Sequence, residues 1–183
     1  MPQVMDVLNA SELQELEELI SKASFSRSTV LDATMPTSPI RTSSSAGISY
    51  DAGTVPRKLR RVACEYFGVP ETHAEPMLHA AKYEKEQQYR SHHDACCDGS
   101  STCKAFQSTG GNRLGTMLLY VNDDFIGGGT EFNFLGITVK PRAGRAVLWH
   151  ALGCPEEAIH AGLPVESGTK RVVTTWLRER PWN

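Results

Sequence analysis

The stretch Tyr89-Arg90-Ser91-His92-His93-Asp94 holds residue types that bind metals, at a spacing that can use them. It reads as the end of a strand, and residues two apart in a strand share a face, so His92 and Asp94 can converge on one atom while His93 points away. A third donor must come from elsewhere. Downstream candidates are His150 and His160; His73 and His79 lie upstream. His160 is favoured because it precedes the turn-like run Ala161-Gly162-Leu163-Pro164-Val165, whereas His150 ends the apolar strand Ala146-Val147-Leu148-Trp149. Two imidazoles and one carboxylate on one side of a metal leave several coordination positions open for small molecules. A His-x-Asp pair alone is a weak signal, since such pairs recur by chance.

That ligand set is the one used by non-haem Fe(II) oxygenases. A rival metal reading comes from Cys96, Cys97 and Cys103 in the loop that follows, but two adjacent cysteines and a third after five more residues lack the Cys-x-x-Cys knuckle of structural zinc sites. With Cys64 and Cys154 the cysteines number five, odd and unevenly placed, which predicts reduced thiols and no disulfide framework.

Elements that could position these residues follow from hydrophobic spacing. Residues 11–23 read as a helix, with Ser11 and Gln14 as a capping box and Leu13, Leu16, Leu19, Ile20 and Ala23 along one stripe. A second helix fits residues 55–67, capped by Thr54, started by Pro56 and stopped by Gly68. Between them, Ser24 to Gly53 is rich in Ser, Thr, Pro and Gly and reads as a connector or lid. After Pro76 the period changes: short runs near 77–84, 114–121, 130–139, 144–150 and 170–178 read as strands. Helices followed by many short strands predict helices packed on an antiparallel sandwich or barrel.

The 183 residues suffice for one domain burying about 70% of its unfolded surface. With 40% hydrophobic and 22% charged residues the chain is outside the disordered class. Nineteen Lys plus Arg against twenty-one Asp plus Glu give a net charge of −2, so no nucleic-acid partner is expected. No run approaches the roughly 18 apolar residues of a membrane span, and no secretory signal is visible, which predicts a cytoplasmic protein with no membrane partner, and a monomer.

The text around the ligands adds more. Tyr83 through Asp94, Gly111-Asn112-Arg113, Tyr120, Gly128-Gly129-Thr130-Glu131-Phe132, Pro141 through Trp149, His160 and Gly168 through Arg180 together resemble the catalytic domain of prolyl 4-hydroxylases, which are Fe(II)- and 2-oxoglutarate-dependent dioxygenases. The resemblance spans roughly residues 38–180, because Arg41-Thr42-Ser43-Ser44-Ser45-Ala46 is similar to that family's Arg-x-Ser-x-Ser-Ala segment. It implies a mainly β fold with supporting α-helices, a double-stranded β-helix or jelly roll, with residues 1–75 as helical support and mobile Ser-rich loop and 76–180 as jelly-roll core. It implies Fe(II) on His92, Asp94 and His160, with Lys170 pairing the distal carboxylate of 2-oxoglutarate. Tyr83, Tyr120 and Thr174 match cosubstrate-pocket positions, Trp176 matches a wall residue, and Tyr89, Arg113 and Trp149 match positions near the peptide groove. O2 is the other cosubstrate, ascorbate the reductant, and a proline-containing peptide or protein the substrate, hydroxylated at proline C4 with release of succinate and CO2. Two loops, Pro36–Gly53 and Ala95–Gly111, are expected to close over it. Lys85-Glu86-Gln87-Gln88-Tyr89 departs from the pattern, having Lys85 and Glu86 where many relatives place a glycine before the Gln-Tyr pair. Alternatives are a dioxygenase of this class acting on a free amino acid or another side chain, and a non-catalytic metal-binding jelly roll. A nucleic-acid demethylase fits less well, since Lys170 stands where an arginine is expected.

Overall fold

The computed structural model describes residues 1–29 and 39–182. Its elements run β1 (Gln3–Asp6), α1 (Ala10–Lys22), β2 (Ser26–Arg27), β3 (Ser44–Ser49), α2 (Thr54–Phe67), β4 (Met77–Tyr83), β5 (Tyr89–His92), α3 (Ser101–Gln107), β6 (Arg113–Tyr120), β7 (Ile126–Gly127), β8 (Thr130–Phe132), β9 (Ile137–Val139), β10 (Arg145–His150), β11 (His160–Gly162), β12 (Val165–Ser167) and β13 (Lys170–Arg178). The large sheet has the order β1-β10-β6-β13-β4-β3-β2, a second sheet the order β5-β11-β8-β9, and β7 pairs with β12. All the pairings are antiparallel, and together they form the jelly roll.

Strand alternation divides the large sheet into two functional faces. Leu78 and Ala80 of β4, Met117 and Leu119 of β6, Ala146 and Leu148 of β10, and Val173 and Leu177 of β13 share one core with Leu16 and Ile20 of α1 and Leu59 and Ala63 of α2. Each such buried aliphatic side chain contributes about 1.5–3 kcal/mol. The intervening residues face the other way. Ala81, Tyr83, Tyr120, Val147, Trp149 and Val172 form a second core with Phe132 of the small sheet. The helices thus back one face and leave the other to house a site between the sheets.

Several expectations change at this level. Asn9, not Ser11, caps α1: its side chain accepts from Glu12 N–H at 3.0 Å while Glu12 reaches back to Asn9 N–H at 2.9 Å, and the Ser11 hydroxyl bonds Asn9 instead. At α2 the cap position is Gly53; Thr54 is the first helical residue and donates to Glu15 at 2.6 Å, joining the two helices. The Ser-rich run is not a loose connector, because β3 pairs along β4 and Ser43 is buried against the Ser28 hydroxyl at 2.8 Å, a fit that only small side chains allow. Pro36, the expected start of that lid, lies outside the described residues. The Ala95–Gly111 loop holds α3, capped by Ser100. The thiols are not reduced: Cys96 bonds Cys103, Cys97 bonds Cys154, and the odd one, Cys64, is buried and free. Neighbouring Cys96 and Cys97 point to different partners, one nearby and one 57 residues away, a pattern invisible in the spacing alone.

Candidate active site

Antiparallel pairing of β5 with β11 sets His92 directly opposite His160, and their rings approach to 4.2 Å between centroids. Asp94 follows β5 by two residues, with His92 Nε2 at 3.8 Å from its Oδ1 and His160 Nε2 at 3.8 Å from its Oδ2. Ligand atoms of the three residues all lie within 4.8 Å of one another, close enough to hold a metal ion.

Their surroundings suit that task. His92 Nδ1 is bonded to the Arg90 carbonyl at 2.7 Å and His160 Nδ1 to the Ala158 carbonyl at 2.9 Å. With Nδ1–H donated to backbone, each Nε2 keeps its lone pair turned into the cluster, the arrangement typical of ligating imidazoles. Burial pushes His92 down to about 3, so it is neutral and ready to coordinate. Burial alone would raise Asp94, but the neighbouring histidines, Arg113 and a hydrogen bond from Thr116 outweigh it and hold the carboxyl at about 2. Two imidazole nitrogens and one carboxylate form a donor set suited to Fe(II).

Thr116, absent from the sequence-based site, donates to Asp94 Oδ2 at 2.6 Å, and both side chains are buried. It shares the inward parity of Tyr120 on β6, the one signal that could have found it. Thr116→Val keeps the shape and removes the donor, so Mn(II) affinity measured by titration should fall about 10–100-fold, as expected when a partner of a ligating carboxylate is lost. Thr116→Ser should retain most of it.

The other histidines lie elsewhere. His150 is exposed and packs edge-on against Phe67 at 4.9 Å, because alternation along β10 turns its neighbour Trp149 inward instead. His73 bonds the Arg178 carbonyl at 2.9 Å. His79 is half-buried, and loss of solvent around its ring pushes it down to about 3. His93 stays outside the cluster and lines an outer cleft.

Lys170, at the start of β13 and in register with Tyr83, is 2% exposed. Its Nζ donates to the Gly128 carbonyl at 2.6 Å and lies 5.1 Å from the Tyr83 ring and 5.5 Å from the Tyr120 ring. No carboxylate among the described residues forms an ion pair with it, and burial lowers it to about 7. A buried ammonium with a single carbonyl partner fits an anionic ligand. Gly128 has φ 64°, and a Cβ there would come within 2.8 Å of Phe125 Cε2 and 3.1 Å of Lys170 Cδ, so glycine suits the close approach of this turn to Phe125 and the lysine.

Tyr83, Thr174, Trp176, Trp149 and Tyr89 line the inner cavity together with the ligands. Tyr89 stacks on His92 at 3.5 Å, and Trp149 backs His160 at 4.6 Å. Tyr120 is fully buried, with its hydroxyl engaged by Thr130 at 2.6 Å and the Val139 carbonyl at 3.3 Å. Arg113 stands behind Asp94: it pairs with Glu75 at 2.8 Å, lies 3.6 Å over the Trp176 ring, and donates to the Asp94 carbonyl at 3.3 Å. Glu75 also holds buried Arg178 at 2.8 Å. Arg41, 4.9 Å over Tyr89, is a further cavity residue that sequence reasoning did not single out.

This jelly roll with a histidine–carboxylate centre belongs to a known class: residues 78–178 match the 2OG-Fe(II) oxygenase superfamily, and the chain is a member of it. The superfamily's name gives the metal and cosubstrate that such a histidine–carboxylate centre takes, Fe(II) and 2-oxoglutarate. The chain is 39% identical over 125 residues to a putative prolyl 4-hydroxylase of Acanthamoeba polyphaga mimivirus, covering 66% of this chain and 51% of that protein. It is 35% identical over 185 residues to prolyl 4-hydroxylase subunit alpha-1 of Gallus gallus, covering 96% of this chain and 35% of that one. The chain therefore spans about half or less of these relatives. The 2OG complex of the viral collagen prolyl hydroxylase from Paramecium Bursaria Chlorella virus-1 shares the fold, with TM-score 0.72 at 22% identity over 97% of this chain and 95% of that one.

Proposed function

We propose that this chain is a 2-oxoglutarate-dependent dioxygenase, a prolyl 4-hydroxylase acting on proline-containing peptides or proteins, with residues 1–183 forming one catalytic unit. The observation that carries the reading is the pairing of a His92–Asp94–His160 cluster with an unneutralised buried Lys170 on the same inner side of the large sheet. The names of its relatives supply proline as the target.

In this reading His92 Nε2, His160 Nε2 and an Asp94 carboxylate oxygen hold Fe(II), and Lys170 binds the distal carboxylate of 2-oxoglutarate. When bound, the metal supplies the oxidising chemistry by which 2-oxoglutarate is converted with O2 to succinate and CO2. The chain's own part is positional. Tyr83 and Thr174 offer hydroxyls to the cosubstrate, Trp176, Trp149 and Tyr120 exclude water, and Tyr89 fixes the His92 ring by stacking while facing the outer cleft. Ascorbate would serve as reductant.

Among the described residues, no helix is long and apolar enough to cross a membrane. The cytoplasmic expectation rested on the lack of a visible secretory signal or membrane span; the two disulfides favour an oxidising compartment instead.

The test is succinate formation from 2-oxoglutarate with a panel of proline-containing peptides. The expected result is peptide-dependent succinate matched mole for mole by peptide gaining one oxygen at proline. Stimulation by a free amino acid, with every peptide inert, would move the substrate to the alternative dioxygenase class.

A further inference from the structure

Beside the ligand cluster a cleft of about 510 Å³ opens to solvent. One side is the ligand-bearing strand, through Tyr89, His92 and His93; the other is the segment after Asp94, through Cys96, Thr102 and Cys103. That second side is built on α3, only 7 residues long. Helices below about 12–15 residues are marginal by themselves in water. Here the support is covalent. Cys96–Cys103 folds the helix back onto the chain next to Asp94, and Cys97–Cys154, with Cα atoms 5.9 Å apart, ties the same point to the segment leading into His160.

Asp94 itself is held by other means. Thr116 fixes its carboxylate at 2.6 Å and Arg113 its carbonyl at 3.3 Å. Asn112 then clamps the backbone of Cys96, accepting from its N–H at 2.9 Å and donating to its carbonyl at 2.9 Å. The holders of the metal cluster thus include no cystine, whereas the wall beyond Cys96 is tied by both disulfides as well as by the contacts of Phe106 with Arg113 and Arg178.

We infer that the cystine-held segment Cys96–Gln107 is the wall that positions the substrate, pressing an extended proline-containing peptide against the Tyr89 side only while both disulfides are intact. The inference rests on the prolyl 4-hydroxylase reading for the identity of that peptide. Reduction uncouples the two sites: the wall loosens, while the metal and 2-oxoglutarate sites keep their own holders. A dithiol can do this, donating two electrons and two protons per disulfide, so that the S–S bond becomes two thiols and the dithiol closes to its own disulfide.

The experiment compares oxidised protein, protein reduced by a trialkylphosphine (oxidised to the phosphine oxide with an oxygen from water, and chosen over a dithiol, which chelates metals), and the Cys97→Ser/Cys154→Ser variant. Three quantities are read: Mn(II) affinity, binding of a labelled proline-rich peptide to the Mn(II)-loaded protein with a non-reacting 2-oxoglutarate analogue, and hydrogen exchange over residues 96–107. The expected result is faster exchange, peptide affinity lower by about tenfold or more from the cost of ordering the wall on binding, and unchanged Mn(II) affinity. Unchanged peptide affinity after reduction would overturn the inference, as would exchange that does not rise, or Mn(II) affinity falling in step with the peptide's. Phosphine reduction of the native sequence keeps the test valid if the serine variant fails to fold. If the oxidised protein binds no proline peptide while exchange still rises on reduction with Mn(II) affinity intact, the wall stands and the prolyl reading fails.

Discussion

His160→Ala is expected to abolish metal-dependent turnover and to remove measurable Mn(II) binding, while His93→Ala leaves Mn(II) binding intact. The contrast follows from placement: His160 turns Nε2 into the cluster 3.8 Å from Asp94 Oδ2, and His93 contributes no atom to it. Losing only a hydrogen-bonding partner of a ligand costs about 10–100-fold. Losing one of three ligands leaves two donors for an ion that is also bound competitively by water, so the effect should exceed that range. Isothermal titration with Mn(II) and succinate formation under saturating Fe(II) together check it. Turnover surviving in His160→Ala would move the third ligand elsewhere, with no other described histidine placed to supply it.

That His92 and Asp94 converge was legible in the sequence because strand parity is a local property: His-x-Asp shares a face whatever the rest of the fold does. His160 was separable from His150 because it precedes a turn-like run whereas His150 ends an apolar strand, and in the structure alternation along Ala146–His150 sends Trp149 inward and His150 out. What could not be read were contacts made by sheet registry. Thr116 reaches Asp94 across 22 residues, and Glu75 joins Arg113 and Arg178 across 38 and 103 residues. Arg113 looked like a groove residue by resemblance, yet a buried carboxylate partner and the Trp176 ring draw it behind Asp94. The disulfides failed for a related reason: a count of five suggests no pairing until the fold buries Cys64 against α2's core partners and brings Cys154 beside Cys97. The helix caps were missed by two residues at α1 and one at α2; at α1 several Ser, Asn and Glu side chains in one turn satisfy the same spacing rule.

Lys170→Ala is expected to raise the 2-oxoglutarate requirement strongly, and the pH dependence tells why. In the empty site burial lowers the ammonium to about 7. A cosubstrate carboxylate would favour the charged form and raise that value, so the complex binds one more proton than the empty site at pH values between the two. Raising the pH through that window therefore penalises binding, and apparent 2-oxoglutarate affinity should weaken by about tenfold per pH unit above about 7. Lys170→Ala should lose both the affinity and this slope. Lys170→Arg keeps a charge over the whole range, so its slope should also vanish, but guanidinium is wider than ammonium and cannot reproduce the single 2.6 Å bond to the Gly128 carbonyl. Affinity in Lys170→Arg should thus fall between wild type and Lys170→Ala at neutral pH. Titrating 2-oxoglutarate into Mn(II)-loaded protein at several pH values separates the three cases. A wild-type slope that persists in Lys170→Ala would place the carboxylate's partner on another cation, with Arg145 and Arg178 the next to test.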